Sequence, residues 1–125
     1  MSDPSDQGGS TMDHDQFQAC MDACLRCAEK CEQCVEACRE LSDAAAVRDC
    51  IALASDCAQF CRTAMALMGR ESHFSGEVCR VCAEICDFCA AECERHDHEP
   101  CRKCAAECHE CAEECRRLTM AVIRA

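Results

Sequence analysis

The sequence predicts an all-α fold, an antiparallel up-down-up-down four-helix bundle with a cysteine-lined core, and three observations carry that prediction. First, 19 of the 125 residues are cysteine, and Trp and Tyr are absent. Fewer than one residue in five is Leu, Ile, Val or Phe, so thiols and alanines have to fill the interior. Second, the cysteines recur in alternating steps of three and four. Those steps keep side chains on one face of a helix and cannot hold one side of a period-two strand. Third, they fall in four blocks separated by short turn-forming segments, and short connections favour antiparallel neighbours.

The elements follow in order. Residues 1–12 are polar and acidic with Gly and Ser, and are expected to form a disordered N-terminal tail. A first helix over about 13–41 carries Cys20, Cys24, Cys27, Cys31, Cys34 and Cys38. Leu41-Ser42-Asp43 then offers an N-cap to a second helix over 44–69. That helix has only Cys50, Cys57 and Cys61, with Leu53, Ala54, Ala64 and Met68 near the same face. Gly69 with Ser72 or Ser75 separates it from a third helix over 73–96, bearing Cys79, Cys82, Cys86, Cys89 and Cys93. In His96-Asp97-His98-Glu99-Pro100, Asp97 or His98 caps a fourth helix over 98–123, and proline is tolerated in its first turn. This helix repeats the steps of the third with Cys101, Cys104, Cys108, Cys111 and Cys115.

Composition excludes several functions. A formal net charge of −11 argues against nucleic acid and against an anionic membrane surface. No apolar run is long enough to span a bilayer, and the first residues lack a basic and apolar export signal, so a cytoplasmic protein is expected. That compartment is reducing, which removes the support for a disulfide scaffold, and the odd number of cysteines weakens it further. Neither a Ser–His–Asp order nor a Gly-rich phosphate loop is present, and many evenly spaced CxxC pairs without a strand do not make one reactive thiol pair. The chain is read as a non-enzyme.

Metal binding gives every stripe a use. Thiols three or four residues apart on a helix have Cβ atoms about 5–6 Å apart, too far for an unstrained disulfide but suited to flanking one soft ion. Thiolates select Cu(I), zinc or iron–sulfur clusters. The loop run C-x2-C-x2-C of an iron–sulfur protein is absent. Zinc would occupy roughly four or five tetrahedral sites of four cysteines each, and a zinc–thiolate buffer is the alternative reading. Cu(I) accepts low-coordinate and bridging thiolates, so such a core would take on the order of one ion per cysteine, each replacing a thiol proton.

On the four cysteine stripes, the histidine-containing turn and the absence of an export signal, residues 13–123 resemble the cytosolic branch of the four-helix-bundle copper storage proteins. The resemblance implies a bacterial protein that sequesters many Cu(I) ions through cysteines inside the bundle, often as a homotetramer. Its cellular purpose would be copper homeostasis or detoxification, with a copper donor or acceptor as a further partner. The second helix, with three cysteines, departs from the even stripes and affects the ion count.

The two ends of the bundle differ. His96 follows Cys93 by three and His98 precedes Cys101 by three, so both extend sulfur stripes and are candidate Cu(I) ligands at a portal. At the other end the stripes stop in Phe17, Met68, Leu118 and Val122. His14, His73 and His109 are read as surface residues, and Met65 and Met68 as gap-filling core. A second apolar stripe on the third helix, Val78, Val81, Ile85 and Phe88, and a flank of Leu53, Phe60 and Leu67 on the second predict self-association through these two helices. Acidic residues on the outer faces of the first and fourth helices are read as solvated.

Overall fold

A computed structural model describes the backbone of residues 4–41 and 43–124, and the side chains of residues 15–122 except 42 and 44. Its four helices are α1 (Pro4–Arg39), α2 (Arg48–Gly69), α3 (Ser75–Cys93) and α4 (Glu99–Arg124), with a short 3-10 turn at Ala44–Val47 leading into α2. Each helix packs on its neighbours in the chain, and α4 closes the ring against α1. Contacts between Cys38 and Cys101, and between Cys20 and Cys115, run α1 and α4 in opposite directions. The pairs Cys34–Cys50 and Cys61–Cys82 do the same for α1 with α2 and for α2 with α3. The up-down-up-down bundle is therefore present, and no strand occurs among the described residues.

Boundaries depart from the sequence reading in identifiable ways. Helix α2 starts at Arg48 and not at residue 44, because the alanine run after Asp43 closes as a 3-10 turn, with Ala46 N–H donating to the Asp43 carbonyl. Helix α3 ends at Cys93 and not at residue 96, which leaves His96 in the connection. The tail expected over 1–12 lies outside the residues whose side chains are described, and α1 is traced from Pro4.

All 19 cysteines are at most 1% exposed. Alanines such as Ala28, Ala58, Ala90 and Ala112 are buried beside them, and their small side chains let the helices approach closely enough to bring thiols from different helices together. Few larger side chains are fully buried with them, Val47, Met68 and Leu118 among these, while Ile51, Phe60 and Ile85 pack partly buried against the core. Leu53, read as lying near the core face, is only partly buried. Among the described residues, no helix is long and apolar enough to cross a membrane.

The α2–α3 turn departs from the expected glycine cap. The left-handed residue is Glu71, at φ 51°, and not Gly69. Ser72 N–H donates to the Leu67 carbonyl and Glu71 N–H to the Met68 carbonyl, which places Glu71 at the position where a helix C-terminus prefers glycine. The Ser72 hydroxyl then accepts from Phe74 N–H at 3.0 Å and leads into α3. Glu71→Gly relieves the steric cost of the left-handed conformation and should stabilise the reduced, metal-free protein by roughly 0.5–1 kcal/mol. Thermal unfolding should show this as a rise of about 2–4 °C in Tm.

Candidate metal centre

The stripes of the four helices meet along the bundle axis to form one continuous column of sulfur. At the end near the α3–α4 turn, Cys34, Cys38, Cys50 and Cys101 form one cluster, and Cys93 lies 3.4 Å from Cys50. In the middle, Cys27 touches Cys57 at 3.8 Å, Cys86 at 3.9 Å and Cys108 at 3.7 Å, so four helices contribute to one layer. Cys104 bridges to the next turn through Cys31 at 3.5 Å. Towards the opposite end, Cys24, Cys82, Cys111 and Cys115 make another group of four, and Cys20 joins through Cys115 at 3.6 Å.

These separations have chemical meaning. All 19 cysteines are free thiols, and contacts of 3.4 to 4.0 Å are far outside a disulfide bond. With metal–sulfur bonds of about 2.3 Å, four-coordinate sites space their sulfurs by about 3.8 Å, three-coordinate sites by about 4.0 Å and linear pairs by about 4.6 Å. The column is already spaced for three or four thiolates per ion, and a linear site needs only a modest opening of one pair. The groups of four overlap: Cys27 and Cys57 each belong to two of them, as do Cys31 and Cys108.

Electrostatics set the terms for ion uptake. Ser75 and Thr119 are the only buried polar residues among those described, so no buried cation faces the thiols. Burial pushes Cys38 up, and it pushes Cys101 up to about 12, with the nearby Cys50 adding to the effect. Hydrogen bonds to Cys111 and Cys115 raise Cys24. Hydrogen bonds from neighbouring thiols, Cys108 first, hold Cys27 down. Cys50 is lowered by hydrogen bonds with Cys34 and Cys93, against the opposing effect of burial. The protons are thus shared through a network, and an entering cation has to displace them.

The two histidines of the third connection are not equivalent. His96 has a side chain only 14% exposed, and its Nε2 is 2.8 Å from Oε2 of Glu92, one helical turn earlier. That contact leaves Nδ1 as the nitrogen free to meet an ion. His98 is exposed at the start of α4, where its carbonyl accepts from Arg102 N–H. The structure therefore holds His96 largely buried against Glu92, with its backbone N–H donating to the Cys93 carbonyl, and leaves His98 exposed. Glu92 escaped the sequence reading, although its four-residue spacing from His96 was the available signal. His73 and His109 are exposed, the latter 2.8 Å from Glu94, while the His14 side chain lies outside the described residues.

Known proteins agree with this geometry. Residues 13–120 match the family described as copper storage protein. The Cu(I)-bound copper storage protein BsCsp3 is 39% identical, with a TM-score of 0.81 over 83% of this chain and 98% of that one. Apo copper storage protein 3 from Bacillus subtilis is also 39% identical, with a TM-score of 0.76 over 82% and 97% of the two chains. A cytosolic copper storage protein from Streptomyces lividans, in a form with five coppers, is 34% identical, with a TM-score of 0.85 over 88% and 97%. Among curated protein sequences, none matches. A bundle with this core, matched along nearly its whole length, belongs to the copper storage protein family.

Proposed function

We propose that the chain stores Cu(I) in its sulfur column, with its 19 cysteines as ligands. The observation that carries this reading is the unbroken run of buried thiols in mutual contact with no buried cation among the described residues. In such a core a thiolate is tolerable only beside a metal ion, and one Cu(I) per thiolate leaves no net charge. Each ion that enters sends one thiol proton out. A zinc site of four thiolates instead carries two uncompensated negative charges, and neighbouring groups of four here compete for the same cysteines. Bridging thiolates remove that competition for Cu(I), which favours it over the zinc buffer despite sulfur spacings that suit both. Such a protein is a store for homeostasis or detoxification and has no reaction to catalyse.

His96 receives the ion at the mouth and passes it to Cys50, Cys93 and their neighbours, while Glu92 holds the ring. His98 plays a lesser part as a solvent-facing group. The cytoplasm is the matching compartment, supported by the Streptomyces lividans relative described as cytosolic and by the reduced state that the thiols require. Self-association buries the flank between α2 and α3, where Leu53, Phe60, Ile85 and Phe88 line a groove and Phe88 is 69% exposed. A homotetramer is the assembly that the family suggests.

Anaerobic titration of the reduced protein should end near one Cu(I) per cysteine by native mass spectrometry, with about one proton released per ion. Saturation at roughly four or five zinc ions with no more Cu(I) than that would replace this reading by the zinc buffer. His96→Ala should slow transfer from a Cu(I) chelator several-fold while leaving final capacity nearly unchanged, and His98→Ala should have the smaller effect. Loading curves that coincide with the unsubstituted protein would remove His96 from the path. Phe88→Glu should shift sedimentation from the oligomer to the monomer without changing copper capacity.

A further inference from the structure

The closed end of the column contains a sulfur that is not a thiol. Met68 is 1% exposed and lies seven residues after Cys61, two turns further along the α2 stripe. Its Sδ accepts a hydrogen bond from the Cys79 thiol at 3.5 Å. Cys79 is 3.9 Å from Cys20, and Cys20 is 3.6 Å from Cys115. In this last layer α1, α3 and α4 each contribute a cysteine, and α2 contributes the thioether. Met65, on the same helix, is only partly buried and has no such sulfur contact among the described residues.

We propose that Met68 is a Cu(I) ligand, which together with Cys79 forms the terminal metal site of the column, at the end opposite His96, with Cys20 and Cys115 linking that site to the next ions. This deepens the storage reading and rests on it. A thioether is a soft neutral donor of the kind Cu(I) accepts. Binding forms one bond from copper to Cys79 Sγ and one to Met68 Sδ. The S–H bond of Cys79 breaks, its proton leaves, and copper stays Cu(I). A thiolate and a thioether around one Cu(I) sum to zero charge, whereas two terminal thiolates would leave one negative charge. That difference matters most at the end sealed by Leu118, which is 1% exposed.

If Met68 were filling space alone, leucine would replace it with little loss, since the two are close in volume. The decisive measurement is selenium-edge X-ray absorption on selenomethionine-labelled protein, fully loaded with Cu(I) without oxygen. The expected spectrum has copper in the first non-carbon shell of selenium, and Met68→Leu, with the other methionines still labelled, loses that shell. In competition with a strong Cu(I) chelator, Met68→Leu should retain about one ion fewer per chain. Full loading with no copper around selenium, or with a copper shell that survives in Met68→Leu, would overturn the proposal while leaving the storage reading intact. Failure to load Cu(I) at all would overturn both. The spectrum of the unsubstituted protein decides the matter even if the variant folds poorly.

Discussion

Charge neutrality inside a dry sulfur core is the constraint from which the rest of this molecule follows. A buried thiolate without a partner is costly, and the described interior offers only the hydroxyls of Ser75 and Thr119 besides sulfur and hydrocarbon. The column therefore has two acceptable states, one filled with protons and one filled with monovalent soft cations, and each exchange between them leaves the interior charge unchanged. Because the core never has to be neutralised from outside, the surface is free to carry the strong acidic excess that keeps the chain soluble.

The same core is a weak source of folding energy. Full burial of a Leu or Val side chain contributes about 1.5–3 kcal/mol, whereas cysteine and alanine bury far less area each. Few large side chains are fully buried, Val47, Met68 and Leu118 among them, and others such as Ile51 and Ile85 pack only partly buried against the core. Cross-helix ion pairs such as Arg62 with Glu32, and Arg116 with Asp87, are about half exposed, so solvent screens them and each adds little. Metal occupancy supplies what the side chains do not, since any ion that binds only the folded state stabilises it by mass action. A site whose free ligand stands at a thousand times its Kd adds about 4 kcal/mol, so a partly filled column already outweighs the surface contacts. On this reading stability and cargo are coupled: the loaded protein persists and the empty one is the more fragile.

Most of the fold was legible because thiol spacing and helix periodicity are the same signal. Steps of three and four from Cys20 to Cys38, repeated from Cys79 and Cys101, mark three inward faces, and Cys50, Cys57 and Cys61 with Ala54 and Ala64 mark the fourth. What escaped were features that depend on the chain between or beyond the stripes. Glu71 adopts the left-handed conformation that sequence preference assigns to glycine, because the hydrogen bonds back to Leu67 and Met68 place the turn two residues after Gly69. His96 and His98 look alike in sequence, and only the end of α3 at Cys93 turns one towards Glu92 and leaves the other in solvent. Met68 reads as ordinary packing until its sulfur is seen beside Cys79.

The two ends give the column a direction. At the mouth stand an imidazole, a carboxylate and the thiols of Cys50 and Cys93; at the far end stand a thioether and leucine. Between them each sulfur has another within about 4 Å, as in the run Cys34–Cys50–Cys93, then Cys89–Cys104–Cys31, then Cys108–Cys27. Such spacings would let an ion held by two sulfurs take a third before releasing the first. The capacity to store thus follows from the same repeated spacing that makes the helices.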